Sequence, residues 1–261
     1  MTQSMSVSPR DRLERLPLTV VIAARNEAVN IAGCIDSVRW ADEIIVAEYG
    51  STDETATIAR ESGARVIQES AETIGIQRNN AIAQAKHPWI FVVDADERGT
   101  VALRNEIRDI LANPTYDAYR IPRRNIFLGK EIRHGGWDRD RPVRLFRSNL
   151  RYNHNRVHEH VEVTTPVGVL REGLLHYPYV SIDQYFDKFN RYSQWWADQR
   201  FERGKRVSPF SLFIRPPGRF LKMYILQRGF LDGAHGLVLA LLASASVLAK
   251  YVRLWGKQWN A

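Results

Sequence analysis

The sequence predicts an α/β fold, a Rossmann-like, mostly parallel mixed sheet followed by a helical C-terminal extension. Three observations carry this expectation. Up to residue 112, four short runs rich in β-branched and apolar residues alternate with stretches of helical periodicity, the pattern of a parallel sheet covered on both faces. After Pro114 the strand-like stretches turn polar and alternating, punctuated by Gly129, Gly135 and Gly136, which adds a mixed region to the same sheet. Beyond Val180 the chain reads as helix, rich in aromatic residues such as Tyr185, Phe189 and Trp196.

The elements follow in order. LTVVIA (18–23) is a buried strand, and Ala28 to Val38 carries apolar residues at 28, 31, 32, 35 and 38, a helical stripe. EIIVA (43–47) is the second strand. Ser51 and Glu54 have capping-box spacing, opening a helix over Asp53 to Ser62 that Gly63 ends. RVIQ (65–68) is a short third strand, Ile74 to Ala85 a helix, and WIFVV (89–93) the fourth strand. Leu103, Ile107, Ile110 and Leu111 mark a helix that stops before Pro114. YDAYRIPR and RPVRLFR are the strands of the mixed region, and RPPGR (215–219) is a hinge or loop before the last helices. Cys34, the only cysteine, belongs to the first helix and reads as a small core residue, so neither an internal disulfide nor a cysteine-based metal cluster is expected.

Composition sets the outer bounds. With 261 residues, 44% hydrophobic and 25% charged, the chain can bury a sizeable core. The net charge of +8 is uneven: residues 200 to 261 hold 11 Lys/Arg against Glu202 and Asp232, while the rest holds 26 basic and 27 acidic residues. An excess confined to one end points to an anionic partner surface, membrane or nucleic acid. The polar start MTQSMSVSPRDRLERLP has no apolar h-region and is not expected to be a signal peptide. The longest apolar run, Leu237 to Ala249, spans about 20 Å as a helix, short of a ~30 Å bilayer core, so no transmembrane helix is expected.

The chemistry gathers at strand ends, where open α/β sheets bind ligands. The first strand runs into Ala24-Arg25-Asn26-Glu27, the second into Glu48-Tyr49-Gly50-Ser51-Thr52-Asp53, and the fourth into Asp94-Ala95-Asp96-Glu97. Dinucleotide and Walker fingerprints are missing. Without glycines to cradle it, a diphosphate needs a metal. Asp-x-Asp at a strand end suits Mg²⁺ or Mn²⁺, which take few protein oxygens and the rest from phosphate and water. In isolation the same acids read as the start of a helix.

The segments VVIAARNEAVNIAGCIDSV, ADEIIVAEYGSTDET and IGIQRNNAIAQAKHPWIFVVDADE together resemble the family 2 glycosyltransferases of the GT-A fold, in order and spacing, over roughly residues 17 to 112. GGWDRDRPVRLFR, NRVHEHVEV, HYPYVSIDQYFDKFNRYS and GFLDGAHGL look like the branch containing lipopolysaccharide-core β-glucosyltransferases. The resemblance implies a nucleoside diphosphate sugar as donor, usually a UDP-sugar in this branch, a divalent cation, and inversion at the anomeric carbon. On that match Ala24, Arg25, Asn26 and Glu27 face the nucleoside, and Gln77 and Arg78 the donor. Asp94 and Ala95 lie near the ribose or metal, and Asp96 is a metal ligand. Glu97 stands behind them or opens the next helix. Glu48 stands where the family usually has Asp, and Tyr49 replaces a small or acidic residue.

Inverting transfer needs a carboxylate to take the acceptor hydroxyl's proton. Two acids qualify, Glu159 in VHEHVE first and Asp140 in WDRDRPVRLFR second, whose neighbours Arg139 and Arg141 would depress its pKa. His158 could assist the metal or the diphosphate, and Trp137 is a core residue or a sugar platform. The basic, Trp- and Tyr-rich C-terminus suits an anionic lipid headgroup layer, consistent with a saccharide or lipid-linked acceptor, while no motif for nucleic acid is present.

The expected organisation is a polar tail over 1–16, a catalytic domain over 17–180 (donor half 17–112, acceptor half 113–180) and a helical basic segment over 181–261. The enzyme would work in the cytoplasm, peripheral at the inner face of the plasma membrane. Two rivals remain: a sugar-phosphate nucleotidyltransferase, although IAARNEAVN lacks the glycine-rich loop of those enzymes, and a non-catalytic nucleotide-sugar-binding protein.

Overall fold

The computed structural model describes residues 15–71, 73–155, 159–179 and 181–259. These form two compact units. One runs up to Pro122 and resumes over Arg141–Leu175; the other comprises Arg123–Asp140 and the chain from His176 onward.

The first unit alternates β1 (Leu16–Ala24), α1 (Ile31–Ser37), β2 (Ala41–Glu48), α2 (Thr55–Glu61), β3 (Arg65–Gln68), α3 (Ile74–Ala83), β4 (Trp89–Asp94), a two-residue β5 (Glu97–Arg98), α4 (Val101–Ala112) and β6 (Ala118–Arg120). The chain then enters the second unit as β7 (Arg123–Phe127) and β8 (Lys130–Ile132), and returns as β9 (Val143–Arg147), β10 (Gly168–Val169) and β11 (Leu174–His176). One sheet runs in the order β10-β6-β9-β4-β1-β2-β3. β1 pairs in parallel with β2 and β4, and β2 with β3. β9 inserts antiparallel between β4 and β6. This is the fold class expected from the sequence.

β1 is buried on both faces, and its side chains alternate between two cores. Leu18, Val20 and Ile22 pack with Ile31 and Ile35 of α1 and Leu103 and Ile107 of α4. Val21 packs with Ala81 and Ile82 of α3, Val92 and Phe146. Cys34 is fully buried in the first core, and burial pushes its thiol pKa up, as expected of a packing residue. Gly63, at φ 90°, ends α2 as expected: its N–H reaches Arg60 O and that of Ala64 reaches Ala59 O, a Schellman pair.

Three local expectations are corrected. α1 begins at Ile31 rather than Ala28, because Ala28 to Asn30 form a turn closed by Asn30 N–H to Glu27 O at 2.9 Å. The Ser51–Glu54 capping box does not form. α2 starts at Thr55, and Ser51 Oγ accepts instead from the N–H of Asn26 at 3.0 Å. RPPGR is not a loop. Pro216 and Pro217 lie inside α6 (Pro209–Leu221), where they remove two helical donors, while Pro216 is buried and its carbonyl accepts from Ser244 Oγ at 2.8 Å.

The second unit contains the β7–β8 hairpin, α5 (Ile182–Glu202), α6, a π turn over Lys222–Leu226, a 3-10 turn over Gly229–Asp232 and α7 (Ala234–Trp259). Phe127 and Ile132 of the hairpin share a core with Tyr185, Met223, Leu239 and Ala240. Trp137 packs edge-on to Phe127 at 6.2 Å, on the margin of that core. Buried Asp232 accepts from the N–H groups of Arg133 and His134 at 3.3 and 2.9 Å, so the acid of GFLDGAHGL ties its turn to the hairpin. α7 also corrects the membrane-length argument. Its 26 residues rise about 39 Å, and by length and composition it is apolar enough to cross a membrane. The shorter figure counted only the uninterrupted apolar run, whereas the helix continues through Lys250, Arg253 and Lys257.

Candidate active site

Sheet register sets the site. Ala24 lies opposite Glu48, and Ala23 opposite Asp94, so β1, β2 and β4 end level with one another. Their following loops meet at the carboxyl edge of the sheet.

The first two loops are laced together through backbone donors. Consecutive N–H groups of Asn26, Glu27 and Ala28 donate to Ser51 Oγ (3.0 Å), Thr55 Oγ1 (2.8 Å) and Asp53 Oδ2 (3.1 Å). Asn26, in the left-handed region at φ 55°, accepts in return from Thr52 N–H at 2.8 Å through its Oδ1. Asp53 therefore does more than favour a helix start. Burial acts to raise its pKa, but hydrogen bonds from the Thr55 side chain and the Ala28 and Thr55 backbones outweigh that and lower it.

Glu48 is 2% exposed. Its carboxylate accepts from Ser51 N–H at 2.5 Å and from the Gln68 amide. Burial works to raise its pKa, and these bonds bring it below the usual glutamate value. The longer side chain thus reaches the turn that follows β2. Tyr49 lies with its ring 5.1 Å from the Arg25 guanidinium, a cation–π contact that gives the exposed arginine a fixed seat.

The acids after β4 meet two arginines. Arg78 of α3 places Nη2 2.5 Å from Asp94 Oδ1 and Nη1 3.2 Å from Glu159 Oε1. Its guanidinium also lies 5.0 Å from the Tyr152 ring centroid. Arg144, at the start of β9, pairs with both Asp94 oxygens and, at 3.2 Å, with Glu97 Oε1. Glu97 is fully buried and accepts the Asp94 N–H at 2.8 Å, so it braces the turn, while α4 opens later with Thr100 as its cap. Burial opposes the Arg144 charge, but Asp94 and Glu97 hold it firmly protonated. Arg78 Nε and Arg144 Nε are buried without a hydrogen-bond partner among the described residues, a cost of roughly 1–3 kcal/mol each that a neutral side chain would avoid.

α3 docks on the segment that carries Glu159. Asn79 bonds the Tyr152 backbone in both directions at 2.8 Å. Gly75 permits this approach, since a Cβ there would lie 2.9 Å from Asn153 O. Gln77 is buried and donates to Ala71 O at 2.7 Å, fixing the entry to the helix.

The structure therefore brings Arg78, Asp94 and Glu159 into contact, with Ala95 and Asp96 on the same turn as Asp94. Ala95 is buried, its carbonyl accepting from Arg98 at 2.8 Å, and Asp96 is partly exposed. Asp140 belongs to the second unit. There its partner is Arg123 at 2.7 Å, not its sequence neighbours Arg139 and Arg141. His158 lies outside the described residues. Among the described residues no three His, Cys, Asp or Glu side chains form a metal cage. An oxygen-seeking ion that draws most of its shell from phosphate and water needs few protein oxygens, and the part-exposed Asp96 carboxylate is of the right chemistry to supply one.

Sequence reasoning missed Arg144, Tyr152 and Gly75. A signal for Arg144 was present: in RPVRLFR it is the one charged residue between apolar strand positions, and it follows the acids by about fifty residues in a strand expected to join their sheet.

The chain is similar to several known proteins. The family model described as Glycosyl transferase family 2 matches residues 19–159. A lipopolysaccharide core biosynthesis glycosyltransferase, LpsC, of Rhizobium meliloti (strain 1021) is 32% identical, over 92% of this chain and 94% of its own. An uncharacterized glycosyltransferase of Rickettsia felis is 29% identical, over 91% and 88%. A solved glucosyl-3-phosphoglycerate synthase from Mycobacterium tuberculosis, in complex with Mn²⁺, UDP and glucosyl-3-phosphoglycerate, is 24% identical over 47% of this chain and 51% of its own, at a TM-score of 0.38.

Proposed function

Because the chain belongs to glycosyltransferase family 2, we propose that this glycosyltransferase moves a hexose from a nucleoside diphosphate sugar, a UDP-sugar by preference, with inversion, to a saccharide or lipid-linked acceptor of lipopolysaccharide assembly. The observation that carries the reading is the Asp94–Arg78–Glu159 contact at the end of β4. It links an acid of the D-x-D turn to a second acid suited to deprotonating an acceptor.

In this reading the laced loops after β1 and β2 seat the nucleoside, with Ala24, Arg25, Asn26, Glu27 and Glu48 on its side. Glu159 takes the proton of the acceptor hydroxyl as that oxygen attacks the anomeric carbon. Its ion pair with Arg78 orients the carboxylate. Asp140, held by Arg123 at 2.7 Å where Arg78 holds Glu159 at 3.2 Å, is the second candidate. Asp96 would hold Mg²⁺ or Mn²⁺, which when bound supplies positive charge to the departing diphosphate.

The acceptor reading extends to location at the cytoplasmic face of the plasma membrane. α6 exposes Phe210, Phe213, Ile214 and Leu221 at helical spacing, with Phe213 76% exposed, and Arg215, Arg219 and Lys222 are interleaved with them. An apolar stripe among cations suits an anionic headgroup layer.

A thermal-shift panel of nucleoside diphosphate sugars with and without Mn²⁺ tests the donor assignment. Stabilisation by a UDP-hexose that depends on Mn²⁺ is the expected result. Stabilisation by nucleoside triphosphates, with pyrophosphate release when a sugar phosphate is added, would instead favour a nucleotidyltransferase.

A further inference from the structure

We propose that a cavity between α3 and the chain around Arg151–Asn155 and Glu162 is a saccharide subsite, taking a further sugar residue of the acceptor. The inference rests on the transferase reading above and names where its acceptor is held.

The cavity measures about 620 Å³, within the usual span of ligand sites, about 300–1,000 Å³. Local structure opens it. On α3, Asn79 and Ala83 stand four residues apart on one face of the helix, and the small, exposed Ala83 leaves room beside the contact that Asn79 makes with Tyr152. On the other wall Tyr152 pairs antiparallel with Val161, and both belong to the core. Their neighbours Arg151, Asn153 and Glu162 alternate to the opposite side and line the cavity. The N–H of Glu162 donates to Arg151 O at 2.9 Å, which holds the two limbs of this wall together.

The lining selects the class of ligand. Asn79, Asn80, Asn153 and Asn155 are amides, each with a donor and an acceptor, while Arg151 adds donors and Glu162 acceptors. An anion is poorly served. Arg151 is the one Lys or Arg among the described lining residues, its Nη1 donates to Ser148 O and Leu150 O, and Glu162 shares its wall. A nucleobase lacks a stacking platform, because the Tyr152 ring is 4% exposed and packs edge-on to Phe146. An acyl chain would meet mostly amides. Vicinal hydroxyls, which donate and accept at once, match this surface. The side chains of His154, Asn155 and Glu162 are exposed and make no hydrogen bond or ion pair among the described residues, so a ligand takes them without breaking a contact.

The place also fits an acceptor. Glu159 and Glu162 lie on one limb, at most about 10 Å of chain apart, and Arg78, which holds Glu159, directly precedes Asn79. A saccharide seated in the cavity brings its adjoining unit toward the proposed base.

Titration calorimetry tests this without reference to turnover. The probes are core oligosaccharide freed from lipopolysaccharide by mild acid and dephosphorylated, and inorganic phosphate. The wild type should bind the oligosaccharide in the absence of nucleotide. Ala83→Leu fills the cavity and should weaken binding about tenfold. Glu162→Ala and Asn155→Ala should each weaken it about fivefold, the worth of one hydrogen bond. All three positions are exposed, so the fold should survive. In steady-state transfer the acceptor KM should rise in step, with kcat and donor KM near wild type. No binding by the wild type, unchanged affinity in Ala83→Leu, or displacement of the oligosaccharide by inorganic phosphate overturns the proposal. A wild type that binds the oligosaccharide through these residues, yet transfers from no UDP-hexose, leaves the saccharide site standing and contradicts the transferase reading instead.

Discussion

Arg78 holds Asp94 and Glu159 on one guanidinium, Nη2 at 2.5 Å from the first and Nη1 at 3.2 Å from the second. The two acids are 65 residues apart in sequence, and α3 brings them together because Asn79 and Gly75 let it dock on the Tyr152–Asn153 backbone. The two acids of the proposed reaction thus meet on one guanidinium.

The choice of base follows from that contact. Glu159→Gln should lower kcat by at least ~100-fold, the usual worth of a general base, with donor KM changed little. Asp140→Asn should stay within a fewfold of wild type. The reverse pattern in steady-state kinetics would exchange the two roles.

The docking of α3 predicts the effect of Gly75→Ala. The added methyl would meet a backbone carbonyl at 2.9 Å, which cannot rotate away as a side chain can. Overpacking of this kind costs ~1–3 kcal/mol, more than the small gain in helix propensity at a first-turn position. The urea unfolding midpoint should fall, and a rise would contradict the close approach.

Much of this was legible in the chain. LTVVIA and WIFVV read as strands because they are short, continuous apolar runs rich in β-branched residues. Local signals failed where a distant partner took the group. Ser51 has the spacing of a cap, yet its hydroxyl serves Asn26, 25 residues earlier. RPPGR has the composition of a loop, yet Pro216 is buried and bonded by Ser244 of α7 within the second unit. Arg144 carried a signal as the one charged residue between apolar strand positions in RPVRLFR, and the antiparallel pairing of β9 with β4 is what sets it beside Asp94.

Acid sensitivity should arise in part from Glu43. Burial acts to raise its pKa, but the Lys86 N–H, the Thr19 hydroxyl and Arg65 together hold it below the ordinary 4.5. A depressed folded pKa means that the carboxylate's contribution is complete above 4.5 and is lost as pH falls through the folded value. Urea unfolding at several pH values should therefore show a shallower acid loss in Glu43→Gln than in wild type. Parallel slopes would remove Glu43 from the account.

The α6 stripe predicts salt-sensitive binding to vesicles containing phosphatidylglycerol. Phe213→Asp and Arg215→Glu should each weaken co-flotation severalfold while leaving the circular dichroism spectrum unchanged. Equal binding to neutral vesicles, or no effect of either substitution, would argue against a headgroup-facing surface.

The most direct test follows phosphorus-containing products by ³¹P NMR with a panel of UDP-hexoses and a saccharide acceptor mixture, in wild type and Asp96→Ala. Mn²⁺-dependent release of UDP by the wild type, with release by Asp96→Ala near background, is the expected result. UDP release by Asp96→Ala at the wild-type rate, or pyrophosphate as the product from a nucleoside triphosphate and a sugar phosphate, would contradict it.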